Sequence, residues 1–274
     1  MANYIYITKL SGEKQRFSLR KLERSLRRAG ASKGLARKIA DQIAAEVKPG
    51  MTTTDIYQQA HYLLRQYEKG VAARYSLKRA LLDLGPAGYP FEKLVGLLLR
   101  EYGYQVKLNQ IIQGRCASYE IDVIAQKGEK KFLVECKFHN RAGYKCDMKT
   151  ALYVWARFLD IKSTTKDNSS ALLVTNTKLT TEALHYSQCV GLHVISWDYP
   201  FESSLKKLID DANLHPLTSL LSLNKNQKQR LLQKGVVFCK QLASNPKWFK
   251  FLGLSQRQIK NVLSEIEGLV AIER

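Results

Sequence analysis

The 274-residue chain has no apolar run approaching the length needed to span a bilayer. Its first ten residues, MANYIYITKL, lack a signal-peptide pattern. A chain that stays in the cytoplasm and away from membranes is the expectation. Cysteine is sparse: Cys116, Cys136, Cys146, Cys189 and Cys239 make an odd count with no CxxC spacing, which argues against a disulfide framework or a zinc site and for reduced thiols. Acids are scarce too, with 24 Asp and Glu against 44 Lys and Arg and a net charge of +20.

What is present divides unevenly. Residues 1–84 carry 17 bases and 7 acids, residues 85–212 carry 17 and 14, and residues 213–274 carry 10 and 3, so the flanks are basic and the centre nearly balanced. A polyanion is the partner such flanks favour, while the centre keeps carboxylates for other work. Hydrophobic residues make up 45% of the chain, enough for two or three globular domains.

The central feature is Ser118 to Phe138, SYEIDVIAQKGEKKFLVECKF. Alternation through Tyr119, Ile121, Val123 and Ala125, a turn at Gln126-Lys127-Gly128-Glu129 and a second strand to Phe138 predict a β-hairpin. On the second strand Leu133, Glu135 and Lys137 share one face, and Val134, Cys136 and Phe138 the other. An acid and a base amid Phe, Leu, Val and Cys must pair with each other or face a cleft, because burying either alone is costly. Asp122 can converge on the same place. Two carboxylates able to share a divalent cation, beside an ammonium, suit hydrolysis of a phosphodiester.

Glu92 in a preceding helix, Asp122 and Glu135-Cys136-Lys137 resemble the D…ExK signature of the PD-(D/E)XK nucleases, and of these the Mrr-like restriction endonucleases, whose layout runs from a Phe-Glu helix through Gly-Tyr to Asp and Glu-Cys-Lys. The resemblance implies a Mg2+-dependent DNA endonuclease. Asp122, Glu135 and the Cys136 carbonyl would hold the metal, Lys137 would position the attacking water, and Glu92 would assist. Glu92 could equally be an exposed helix acid favoured by the dipole. His139 and Arg141, in the polar loop after the motif, are candidates for phosphate contact, whereas Glu120 is expected at the surface.

Elements predicted around the hairpin fit that layout. Two prolines and two glycines within Gly85–Pro90 mark a linker. Then follow a helix from Phe91 to Tyr102, a strand over 104–111, the hairpin, a helix over 147–161 with Leu152 and Leu159 available to the core and Lys149 and Arg157 facing out or toward DNA, a strand over 171–175, a helix over 180–190 and a strand over 192–196. His193 is expected to be a core or edge residue, not a ligand.

Residues 4–84 are expected to form a short hairpin and a small helical bundle. ITKLSGEKQRFSLRKLERSLRRAG is similar to the opening of the ATP-cone, a nucleotide-sensing domain. Lys9, Gly12, Phe17 and Lys21 match the family, and Thr53 lies where it has a nucleotide-contacting hydroxyl. Leu10 and Ser11 depart from its Arg-Asp. The resemblance implies ATP or dATP as an allosteric ligand bound near Lys9, Phe17, Lys21 and Thr53. The last sixty residues are helical and broken by Asn224, Gly235, Asn245-Pro246 and Gly253. They have a weak look of helix-hairpin-helix DNA-binding modules, with a helical cap or dimerisation element as the alternative.

The expectation is therefore a multidomain α/β (α+β) chain. Residues 1–84 form an ATP-cone bundle with a β-hairpin, 85–212 a restriction-endonuclease-like mixed sheet with flanking helices, and 213–274 a basic helical region. Its partners are DNA and a nucleotide. A homo-oligomer, a dimer or larger, follows from the need for two active sites to cut both strands. A repair or junction nuclease of the same fold, and a non-catalytic nucleotide-responsive DNA-binding regulator, are the alternatives.

Overall fold

The computed structural model describes residues 5–9, 12–85, 88–141, 143–165 and 167–270, and it divides into two compact units. Unit 1 comprises 1–80, 217–231 and 239–274; unit 2 comprises 81–216 and 232–238. Where three successive parts were expected, the C-terminal helices share a unit with the N-terminal bundle. Leu10 and Ser11, and Pro86 and Ala87 of the expected linker, lie outside the described residues.

Unit 1 begins with the expected short hairpin, made of β1 (Tyr6–Thr8) and β2 (Lys14–Arg16). Helix α1 (Leu19–Arg28) starts where the Ser18 hydroxyl accepts the Lys21 N–H, and stops before Gly30 at φ 96°. Then come α2 (Lys33–Glu46), capped by Ser32, and α3 (Thr53–Tyr67), opened by a reciprocal Thr52–Asp55 capping box. Two short helices follow, α4 (Lys69–Tyr75) and α5 (Leu77–Leu82), parted at Ser76. Leu22, Leu26, Ile39, Ile43, Ile56 and Leu64 form the core of the bundle, with Phe17 packed against it.

Unit 2 opens with α6 (Tyr89–Glu101). This helix begins inside the expected linker, because Pro90 sits in its first turn, where a missing N–H costs nothing. Next are β3 (Gln105–Gln113), β4 (Ser118–Lys127), β5 (Lys130–Lys137), the short β6 (Lys145–Cys146), α7 (Met148–Lys162), β7 (Ser169–Thr175), the short β8 (Lys178–Leu179), α8 (Thr181–Val190), β9 (His193–Ile195) and α9 (Leu205–Asp211). The main sheet has the order β3-β4-β5-β7-β9; its first three strands are antiparallel, and β5, β7 and β9 run parallel. It is thus a mixed sheet with the predicted hairpin at its heart. His193 lies on the β9 edge, its ring edge-on to Phe132.

Helix α7 buries Ala151, Val154, Phe158 and Ile161 with the sheet residues Leu133, Ala171 and Leu173. Leu152 and Leu159, expected in the core, are instead 42% and 49% exposed. At 100° per residue they lie roughly 120–140° round the helix from the buried stripe.

The chain ends in α10 (Lys225–Gln233), α11 (Cys239–Ala243), α12 (Lys247–Leu252) and α13 (Gln256–Val270). Within unit 1, α13 packs against α4 so closely that a Cβ on Gly70 would lie 2.1 Å from the Gly268 carbonyl oxygen. The buried Arg74 guanidinium stitches this crossing: Nη1 donates to the Gly268 and Leu269 carbonyls at 2.6 and 3.0 Å, and Nε to the Ala29 carbonyl at 2.9 Å. Glu265, also buried, accepts the Leu221 and Ser222 N–H groups. Charged groups inside this unit thus serve backbone ends that would otherwise go unsatisfied.

Candidate active site

The site lies where β4 and β5 part company. Their ladder runs from Lys127–Lys130 to Val123–Val134. Beyond it, the Asp122 carboxylate accepts the Cys136 N–H at 2.7 Å. This anchors an acid beside the Glu135-Cys136-Lys137 segment, whose own backbone stays paired with Leu173 to Thr175 of β7.

Glu135 is 8% exposed and fully engaged. Lys137 Nζ lies 2.6 Å from its Oε1, and Arg157 Nη1 lies 2.6 Å from its Oε2. Arg157 was expected to face out or toward DNA. It turns inward instead, onto Glu135 of β5, and it also donates Nη2 to the Glu120 carbonyl. Its guanidinium rests between the Tyr119 and Tyr153 rings, 5.3 and 5.2 Å from their centroids. A buried carboxylate between two cations is the arrangement that offsets its desolvation.

Asp122 differs in kind. Burial first, and then the neighbouring charge of Glu135, push its carboxyl up to about 7; Glu92 adds to the rise, while the Cys136 N–H and Lys137 oppose it. Burial works to lower the Lys137 pKa, but the hydrogen bond and charge of Glu135 outweigh it and the ammonium is held above its ordinary value. The Cys136 thiol is buried and driven up by desolvation, so its side chain is inert and its backbone is what this position offers.

Glu92, on the first turn of α6, accepts the Asn109 amide at 3.0 Å. Asn109 stands at φ 51°, a left-handed conformation Asn tolerates, and reaches the exposed Glu120 carboxylate at 3.4 Å. After Lys137 the chain is clamped by buried Asn176, which accepts the His139 N–H at 2.9 Å and donates to the His139 carbonyl at 2.8 Å. The His139 ring packs on Tyr144 with centroids 4.1 Å apart, its Nε2 is buried with no hydrogen-bond partner, and burial lowers its pKa. Arg141 is exposed. Asn109, Arg157 and Asn176 were not singled out from the sequence for this site; a polar residue between apolar core positions of α7 was the one available signal.

Glu135, Lys137 and Glu92 thus all lie within electrostatic reach of Asp122. Among the described residues no three His, Cys, Asp or Glu side chains gather as a metal-binding group, so any ion held here would draw on two carboxylates and backbone oxygen. In unit 1, Lys9 pairs with Glu13 at 2.7 Å, Phe17 is half-buried, Lys21 is exposed on α1 and Thr53 is the first residue of α3. The Thr8 N–H donates to the Met51 carbonyl at 3.0 Å, and Thr8 bridges Thr52, which sets the strand leading to Lys9 beside the start of α3.

Residues 87–200 match the family described as Restriction endonuclease, Mrr_cat, and residues 215–270 match that described as AF1548-like, C-terminal. Over 174 residues the chain is 34% identical to an uncharacterized protein of Archaeoglobus fulgidus, covering 63% of this chain and 98% of that protein. The crystal structure of the protein of unknown function AF1548 superposes with a TM-score of 0.56 at 32% identity, over 67% of this chain and 98% of that one. MspJI restriction endonuclease in complex with a 27-mer oligonucleotide gives a TM-score of 0.33 at 11% identity, over 73% and 48% of the respective chains. No described helix is long and apolar enough to cross a membrane. The match over nearly the whole of the Archaeoglobus protein places the chain in the AF1548-like family, with a restriction-endonuclease-like domain over residues 87–200.

Proposed function

We propose that the chain is a Mg2+-dependent DNA endonuclease whose active site is Asp122, Glu135 and Lys137. The observation that carries this reading is Asp122: a carboxyl raised to about 7 by burial and two neighbouring carboxylates, fixed beside a lysine that is held charged. Such a group is out of place in a purely structural hairpin and is relieved by a nearby cation. The donor set, Asp122, Glu135 and the Cys136 carbonyl, is all oxygen and suits a hard divalent ion. Bound there, Mg2+ would polarise a phosphoryl oxygen and acidify water.

The chain's own residues divide the remaining work. Lys137 has three N–H donors, one spent on Glu135, so two are left to orient a water or to meet charge developing on the phosphate. Arg157 holds Glu135 from the other side and fixes its rotamer. Glu92, tied to Asn109, biases Asp122 and remains an assisting group. His139, packed on Tyr144, is given no proton-transfer role, and Arg141 is free to meet phosphate.

Nucleotide control through unit 1 belongs to the same proposal. Its support is the resemblance to the ATP-cone together with the Thr8–Thr52 bridge, which sets Lys9 near Thr53. ATP or dATP bound at Lys9, Phe17, Lys21 and Thr53 would shift the enzyme between two states by binding one of them better. Cutting both strands calls for two copies of the site, hence a dimer or larger assembly.

A non-catalytic, nucleotide-responsive DNA-binding regulator is the competing reading, and the two cations already occupying Glu135 favour it. Nicking of supercoiled plasmid by wild type and Asp122→Ala, with Mg2+ or EDTA and with or without dATP, separates the two. Mg2+-dependent nicking abolished in Asp122→Ala supports the enzyme. No nicking by wild type under any condition, with a gel shift that survives Glu135→Ala and Lys137→Ala, supports the regulator. A preference for branched over linear DNA would make it a junction or repair nuclease.

A further inference from the structure

We infer that the solvent face of α1 is a docking ridge for the phosphate backbone of duplex DNA, an inference that names the surface for the DNA partner proposed above. Arg20, Arg24, Arg27 and Arg28 are all exposed, and at 100° per residue they fall within roughly a 100° sector of the helix. Leu22 and Leu26, on the opposite side, are buried in the bundle. With Lys33 at the start of α2 the four arginines line an open groove of about 700 Å³. Glu23 is the acid among its described lining residues, and it lies 3.7 Å from the Arg37 guanidinium, which is itself 2.8 Å from Asp41.

Local helix energetics do not account for this concentration. Arg24 has Arg20, Lys21, Arg27 and Arg28 at i±3 or i±4, and each such like-charge pair destabilises a helix. Arg20 and Lys21 also stand in the first turn, where the macrodipole favours acids and where none is found. Arg27 and Arg28 suit the C-terminal end, but the other cations oppose the helix that carries them. A polyanion laid along the ridge turns that repulsion into attraction.

The groove also says which polyanion. Among the described residues its lining contains no aromatic side chain, so it offers no platform for unstacked bases of a single strand. Leu22 and Leu26 of α1 are buried and Leu19 packs partly against the same core, so the helix presents no apolar face to insert into an anionic bilayer. Ten residues of helix extend about 15 Å, more than a nucleoside triphosphate needs and enough to follow two or three successive phosphates of one strand. Guanidinium forks suit bidentate phosphate contact without reading bases, so the ridge holds duplex DNA irrespective of sequence.

The test is fluorescence anisotropy of the full-length protein on a labelled duplex in EDTA, across a salt series. The variant replaces Arg20, Arg24, Arg27 and Arg28 by Gln, which keeps helix propensity; Arg24→Glu is the second variant should the first fail to fold. We expect affinity at about 0.1 M salt to fall at least tenfold and the slope of log K against log[salt] to lose about 2 in magnitude. A control replacing Lys247, Lys250, Arg257 and Lys260 by Gln should change the slope by less than about 1. An unchanged slope in the ridge variants, an equal loss in the control, or loss of binding to phosphatidylglycerol vesicles alone would each overturn the assignment. Because no metal is present, the outcome is independent of cleavage. Wild type that nicks plasmid while ridge variants bind normally sinks the ridge alone, and wild type that binds through the ridge but never nicks sinks the nuclease reading alone.

Discussion

The cations around β5 and the cations of α1 are put to opposite uses. Lys137 and Arg157 both turn onto Glu135, and Lys131, at the other end of β5, lies 2.5 Å from Asp167. That contact helps hold Asp167 at about 2 against the opposing effect of its partial burial. Each of these bases is consumed inside its own domain. On α1, four arginines crowd one another around a single acid that leans toward a different helix. Net charge by itself therefore misleads about partners: what matters is where the bases point, and Lys131, Lys137 and Arg157 each point at an acid of their own unit.

The inward set breaks most severely. Glu135→Ala removes the acid that answers two cations, and we expect cleavage to fall by at least about a thousandfold and the protein to lose about 3 kcal/mol in a denaturant titration, because Arg157 is left buried and unmatched. Glu135→Ala/Arg157→Met should recover most of the stability and none of the cleavage. If the double variant is no more stable than the single one, Arg157 is not the group left stranded.

Unit 1 should break somewhere else entirely. A methyl on Gly70 would meet the Gly268 carbonyl oxygen at 2.1 Å, and backbone cannot swing aside as a side chain can. Gly70→Ala should cost about 2 kcal/mol, read as a lower midpoint in thermal unfolding. Hydrogen exchange should locate the loss in α4 and α13, with the amides of β5 and β7 still protected. Equal deprotection of the central sheet would show that the two units unfold together and that the contrast between them has no energetic meaning.

The sheet was legible because its signals are local. Alternation through Val123 and Ala125, Gly128 at the turn and the apolar run Ala171 to Val174 each announce a strand, and Gly103, Gly191 and Gly253 each end a helix. The Asp122–Glu135–Lys137 convergence follows from the hairpin register alone. Arg157 was scarcely legible: its place between apolar core positions of α7 was the one signal, and its partner lies 22 residues away on another element. Leu152 and Leu159 misled because hydrophobicity alone cannot say how wide a stripe the sheet will cover. The union of the C-terminal helices with the N-terminal bundle rests on Gly70 meeting Gly268 and Arg74 meeting their turn, contacts separated by about two hundred residues that leave no trace in local pattern.

The smallest predicted effect is the most discriminating, because it runs against intuition. The Asp122 carboxyl sits at about 7 in the folded protein against an ordinary 3.8, so folding favours its protonated form. Its contribution to stability is therefore complete below about pH 4 and is lost as pH rises through about 7. Asp122→Asn keeps an acceptor for the Cys136 N–H and cannot ionise. It should leave stability unchanged near pH 4 and raise it by about 1–2 kcal/mol near pH 8, after discounting for partial exposure, while cleavage is abolished. Mg2+ should narrow that gap by stabilising wild type near pH 8 and not Asp122→Asn, and EDTA should restore it. A wild-type midpoint that ignores both pH and Mg2+ would mean that Asp122 is an ordinary solvated acid, and the contrast between a strained inner site and a strained outer ridge would then rest on α1 alone.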